Sequence, residues 1–317
     1  MSMLQVKRIL VPRDFSSCAE EALHYALDLA RRVNAELHLL FAEVLHADAH
    51  TPTSAGASSD VELLKRLLEG VEPGHPGEAT NTVRIERTIV RDIAAAPAII
   101  GYADEHDIDL VIMGTHGRRG LRRVVLGSVA EEVVRMAPCP VLTIHRRDPS
   151  MAGPQGQNTL LVPVDFSKYA RVALGHAKAL GRLFNARLHL LHVIEDQLHP
   201  AFYNTGIWSI YDVVPDIEEK AQAELERFFE ETDGPEVEAR FYVRQGHPAH
   251  EIVTFAQDQE SSMIVMATHG LRGLEHFLLG SVAEKVVRRS SVPVFTVKAF
   301  GKALVPWSGV AEAEATE

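Results

Sequence analysis

A block of 23 residues occurs twice in this chain, and that repetition constrains the fold more than any other feature. Residues 113–135, MGTHGRRGLRRVVLGSVAEEVVR, return at 266–288 as MATHGLRGLEHFLLGSVAEKVVR with 16 identities, at an offset of 153. Nearer the start, ILVPRDFS at 9–16 returns as LLVPVDFS at 160–167, six matches in eight at an offset of 151. Nearly equal offsets mean that the 317 residues hold two copies of one domain of about 145 residues, each long enough to bury its own core. The reading of the domains is 1–145, a linker at 146–158 rich in Gly, Pro and polar residues, 159–299, and an acidic tail at 300–317 expected to fray.

Within each copy, short apolar runs alternate with amphipathic stretches. Arg8 to Pro12 reads as a strand. Ser16 or Ser17 can cap the helix that follows, with Ser17 and Glu20 at capping-box spacing and an apolar face of Leu23, Ala26, Leu27, Ala30 and Val33. Strands are then expected at Glu36 to Val44, near Val83 to Val90, at Leu110 to Met113 and at Val141 to Ile144. Helices are expected around Val61 to Leu68, near Ala95 to Glu105 and from Ser128. Five strands alternating with four helices predict an α/β domain: a parallel open sheet with helices on both faces and a ligand crevice beyond the carboxyl ends of the strands.

The chemistry at that crevice is carried by glycine spacing. Gly114 is followed by two residues and Gly117, then by nine residues, Gly127 and Ser128. Glycines where a parallel strand ends permit close backbone approach. Ser128 opens Ser-Val-Ala-Glu, a capping-box spacing, so the first free N–H groups of a helix point into the crevice, where they and the helix dipole suit a phosphate. The loop between carries Arg118, Arg119, Arg122 and Arg123 and no acid, which favours a polyphosphate. The alternative reading is that the glycines only make a turn and the capping box only caps.

Taken together, VPRDFS or VPVDFS at the first strand end, MGTHG or MATHG at the fourth, Gly-Ser nine residues on, and CPVLTI or VPVFTV as closing strand resemble the universal stress protein family in its tandem, two-domain form. The resemblance covers about 4–145 and 158–298, and the first copy carries the full G-x2-G-x9-G-S pattern of the ATP-binding branch. It implies a Rossmann-like, adenine nucleotide alpha hydrolase-like fold, ATP (with or without Mg²⁺) at the carboxyl edge of the sheet, and pairing of domains through their last strands. It implies ATP contacts from Pro12, Asp14, Ala42, Gly114, Thr115, His116, Gly117, Arg118, Arg119, Gly127, Ser128 and Val129, with Asp14 on the ribose. The matching set in the second copy is Pro163, Asp165, Val193, Ala267, Thr268, His269, Gly270, Gly280, Ser281 and Val282. The alternative for Asp14 and Asp165 is to cap the following helix.

The second copy departs from the pattern. Ala267 replaces the first glycine, and its loop sets Arg272 against Glu275, a net of zero where the first copy has +4, so the first site is electrostatically favoured for ATP. The first copy has Ile93 where the second has Gly246, in a turn where the family commonly has glycine. His116 and His269 have no acid or nucleophile partner in the motif and read as loop-ordering residues. His46 and His50 of HADAH read as solvated loop residues rather than metal ligands, and the aromatic stretch Phe202 to Val214 as packing on its own domain.

Other classes are weakened by what is absent. There is no G-x4-G-K-(S/T), no GxGxxG after the first strand, and no SGGxDS or HxGH signature. No nucleophile and base arrangement can be defended, so no catalytic residue and no metal ligand is assigned. A formal charge of −11 disfavours binding to DNA or to an anionic membrane, and the two cysteines, Cys18 and Cys139, form no metal-type spacing. With no apolar run of about eighteen residues, the chain reads as cytoplasmic. The expectation is an ATP-binding regulator of the stress response without fast catalysis, its copies pairing as an intrachain pseudo-dimer that can pair again as a homodimer. The alternatives are an ATP-independent interaction scaffold with vestigial sites, and a slow ATPase.

Overall fold

Apolar runs too short for helices become parallel strands in a computed structural model describing residues 4–45, 62, 64–67, 83–115, 126–145, 158–195, 214–269, 279–298 and 301–306. The chain divides into two compact units, one of Leu4–Asp148 with Phe300–Leu304, the other of Pro149–Ala299 with the two chain ends.

In the first unit the order is β1 (Arg8–Pro12), α1 (Ser17–Val33), β2 (Glu36–Val44), β3 (Ile85–Asp92), α2 (Ala95–Glu105), β4 (Leu110–Gly114), α3 (Ser128–Met136) and β5 (Val141–Ile144). The strands lie in the order β3-β2-β1-β4-β5, all parallel. Chain order therefore reverses at β1 and β4, the switch point of an open α/β sheet. Ile9, Leu10 and Val11 of β1 are wholly buried, as the central strand of a doubly covered sheet requires. Leu23, Ala26, Leu27 and Ala30 of α1 are buried, while Val33, at the last turn, is only half-buried.

Three local expectations are corrected. The helix cap is Ser16, whose hydroxyl accepts from the Ala19 N–H at 3.3 Å; Ser17 is the first helical residue, and Glu20 pairs with Arg13 instead of closing a capping box. The third strand runs two residues further along than the apolar run suggested. Ser128 does not cap α3: Gly127 occupies that position, with no side-chain cap bond. Of the helix expected at Val61 to Leu68, residues 62 and 64–66 are helical, Leu67 is in a turn, and 61, 63 and 68 lie outside the described residues.

The second unit repeats the plan with β6 (Thr159–Pro163), α4 (Lys168–Phe184), β7 (Arg187–Ile194), α5 (Ile217–Glu231), β8 (Ala239–Gln245), α6 (Pro248–Asp258), β9 (Met263–Ala267), α7 (Ser281–Arg289) and β10 (Val294–Val297). Its sheet, β10-β9-β6-β7-β8, is again parallel throughout. Both first helices end on an asparagine in the left-handed region, Asn34 at φ 55° and Asn185 at φ 50°. Of the tail expected to fray, residues 301–304 are held on the first unit. Lys302 Nζ lies 2.9 Å from Asp109 Oδ1, the Lys302 N–H donates to the Pro138 carbonyl, and the Gln5 N–H donates to the Leu304 carbonyl. No described helix is long and apolar enough to cross a membrane.

Candidate functional site

At the carboxyl end of β1 the chain must turn sharply into α1, and it does so through Phe15 at φ 61°, a conformation costly for an aromatic residue. Phe166 adopts the same φ of 61° in the second copy. Packing holds each ring. Phe15 stacks on Phe41 at 5.4 Å with the Arg66 guanidinium 4.1 Å over its face, and Phe166 lies 4.6 Å from His192 and 5.8 Å from Phe228. This turn presents Asp14 and Asp165. Asp14 Oδ1 accepts from the Ser16 N–H at 3.0 Å and Asp165 Oδ1 from the Ser167 N–H at 3.1 Å. The serines, not the aspartates, cap the helices. Pro12, Ala42, Pro163 and Val193 are half-buried at the ends of their strands.

The other wall is the end of β4. The Thr115 N–H and hydroxyl both donate to the Ile144 carbonyl, at 3.0 and 3.3 Å, and the Gly127 N–H donates to the Thr115 carbonyl at 2.8 Å. The two ends of the glycine-arginine loop are thereby pinned together at the crevice. In the second copy the Thr268 N–H donates to the Val297 carbonyl at 2.9 Å and the Gly280 N–H to the Thr268 carbonyl at 2.8 Å.

The glycines have a steric reason besides any ligand. A Cβ at Gly127 would stand 3.0 Å from the Thr115 carbonyl oxygen, and one at Gly280 would stand 2.8 Å from that of Thr268. A Cβ at Gly114 would meet Cys18 Cβ at 2.7 Å, so this glycine lets β4 approach the first turn of α1. With glycine at the cap position, neither α3 nor α7 has a side-chain cap, and the N–H groups of their first turns, beginning at the exposed Ser128 and Ser281 and continuing through Val129 and Val282, have no intrahelical acceptor. Gly246 stands at φ 140°, whereas its counterpart Ile93 is 82% exposed.

The structure thus brings Asp14, Thr115, Gly127 and Ser128 to the carboxyl ends of one sheet, and Asp165, Ala267, Thr268 and Gly280 to those of the other. His269 Nδ1 lies 3.0 Å from the Thr268 hydroxyl and its ring 6.0 Å from Tyr169. His116, Gly117, Arg118, Arg119, Arg122, Arg123, Gly270, Arg272 and Glu275 lie outside the described residues, as do His46, His50 and residues 202–213.

Sequence reasoning missed Arg13. Its side chain is buried, donates from NH1 to the Leu67 carbonyl at 2.6 Å and pairs with Glu20, tying Leu67 to α1. The available signal was its place as a mismatch within the repeated octapeptide, where the second copy has Val164.

Comparison with known proteins supplies the lineage. A model of the universal stress protein family matches residues 5–145 and again 157–298. A universal stress protein of Methanocaldococcus jannaschii is 32% identical over 151 residues, 44% of this chain and 93% of that one. One from Mycobacterium tuberculosis is 30% identical over 212 residues, 64% of this chain and 65% of that one. The crystal structure of a universal stress protein from Archaeoglobus fulgidus superimposes with a TM-score of 0.61 at 23% identity, covering 93% of this chain and 99% of that one, a likeness of fold.

Proposed function

This chain belongs to the universal stress protein family, and from that premise we propose that it acts in a stress response as an ATP-responsive regulator whose first copy is the principal nucleotide site. The observation that carries the reading is the pinned loop. The hydrogen bond from Gly127 to Thr115 closes the G-x2-G-x9-G-S segment at the end of β4, which pairs with the β1 that leads to Asp14, and beside an α3 start without a side-chain cap. Free helix N–H groups and four loop arginines suit the phosphates of ATP, and a carboxylate at the end of β1 suits the vicinal hydroxyls of a ribose. Mg²⁺ would travel with the phosphates; no described carboxylate cluster stands at this loop to hold it independently.

The expected output is conformational. An anion that neutralises a cationic loop favours whatever contacts that loop makes, including pairing of copies or chains.

The test is equilibrium dialysis against ATP, followed by a turnover assay with Mg²⁺. Saturable binding with turnover slower than about one per minute is expected, far below the usual range for enzymes. Folded protein that retains no ATP would establish the scaffold reading, and turnover of several per second would establish an enzyme.

A further inference from the structure

We propose that the first copy carries a divalent transition-metal site, of the zinc type, formed by Glu36, His38 and Glu86 at the end of β2 remote from the nucleotide crevice. Among the described residues this is the only group of three or more metal-ligating side chains whose donor atoms all lie within 4.8 Å of one another. Its geometry follows from the sheet. Glu36 and His38 are two residues apart on β2 and so share a face, while the parallel register sets His38 directly beside Glu86 on β3. His38 Nδ1 is 3.8 Å from Glu86 Oε2 and 3.0 Å from the Tyr102 hydroxyl.

Donors around one tetrahedral zinc ion stand about 3.3 Å apart, given bonds of about 2.0–2.2 Å. A half-exposed Glu86 can close that gap by a small rotation. The Tyr102 hydroxyl keeps a second partner in Thr88 Oγ1 at 3.3 Å when Nδ1 is taken by the ion.

The state of His38 fits a ligand. It is 3% exposed, and the ring nitrogen that faces Glu86 is Nδ1. One imidazole and two carboxylates form a mixed nitrogen and oxygen donor set suited to Zn²⁺, Co²⁺ or Mn²⁺. The competitors are weak or already placed. Arg84 Nε lies 3.0 Å from Glu36 Oε1, but its side chain is 83% exposed and readily displaced, Arg8 is engaged by Asp107, and His106 stacks on Tyr102 at 3.8 Å.

The second copy is an internal control. It keeps the histidine as His189 but replaces Glu36 by Arg187 and Glu86 by Arg240, the latter paired directly with His189 in the register. Burial and these two guanidiniums hold His189 at a pKa of about 4, and their charge repels a cation. The fold therefore needs neither carboxylate at these positions, and the first copy has them on both sides of a buried histidine.

The test is a Zn²⁺ titration by calorimetry of the tag-free full chain carrying His46→Ala and His50→Ala, which removes the HADAH pair from the count. One site is expected, weakened at least about tenfold by Glu86→Gln and by Glu36→Gln and unchanged by Arg240→Gln. Both glutamates reach solvent, so their variants should fold, which the thermal midpoint without metal verifies. A Glu86→Gln protein that binds Zn²⁺ as tightly as its parent, or a parent that binds none, would overturn the site.

Discussion

At position 114 there is no room for a methyl group. An added Cβ would stand 2.7 Å from Cys18 Cβ and 2.9 Å from the Cys18 carbonyl carbon, and the latter belongs to a helix backbone that cannot swing aside. Gly114→Ala should therefore destabilise the first copy by about 1–3 kcal/mol, read as a lower urea midpoint, whereas Ala267→Gly should change stability by less than about 1 kcal/mol. Equal effects would contradict the close approach of β4 to α1. Buried histidines set the acid response. His176, wholly buried with Nδ1 2.8 Å from the Val172 carbonyl, is held by desolvation at a pKa of about 4, and His189 at a similar value. In the unfolded chain both titrate near 6.5, so between that pH and about 4 the unfolded state binds more protons. Stability is thus present in full above pH 6.5 and is lost as pH falls toward 4, by about 3 kcal/mol for His176. Denaturant midpoints at pH 7.5, 6 and 4.5 should fall in that order, and His176→Gln should flatten the fall.

Elements were legible wherever burial writes a pattern. Ile9 to Val11 and Leu110 to Met113 are unbroken apolar runs because both faces of their sheet are covered, and the helix stripe Leu23, Ala26, Leu27 and Ala30 has the 3.6-residue period of one buried face. What sequence could not rank was adjacent cap candidates. Ser16 and Ser17 are chemically equal, and the choice falls to Ser16 because Phe15 enters the left-handed region and turns the chain one residue earlier. The same limit hid the site's frame: Arg13 acts through the Leu67 carbonyl, 54 residues away, which no local pattern encodes. Arg13→Val, the residue of the second copy, should free Leu67 and raise hydrogen exchange over residues 64–67 while leaving β1 protected. At the start of α3, Ser128→Ala removes a hydroxyl without touching the pinned loop, whereas Gly127→Ala sets a methyl 3.0 Å from the Thr115 oxygen. ATP affinity should fall modestly in the first variant, and both affinity and stability should fall in the second.

For the whole molecule, duplication left two equivalent scaffolds that differ in electrostatics. The first loop carries four arginines and the second has no net charge, while the caps, the turn strain and the loop-closing hydrogen bond are the same in both. These shared features cannot choose between the copies; the loop charge and the methyl of Ala267 at the end of β9 must. If occupancy of the first site controls association, sedimentation of the full chain should change on addition of ATP and not on addition of adenosine. The central claim is tested most directly by calorimetric titration of Mg-ATP into wild-type protein and into the variant with Arg118, Arg119, Arg122 and Arg123 each changed to Gln. The account predicts about one tight site per chain, weakened more than about tenfold in the variant as charge-assisted phosphate contacts are lost. Unchanged affinity and stoichiometry in the variant would contradict it.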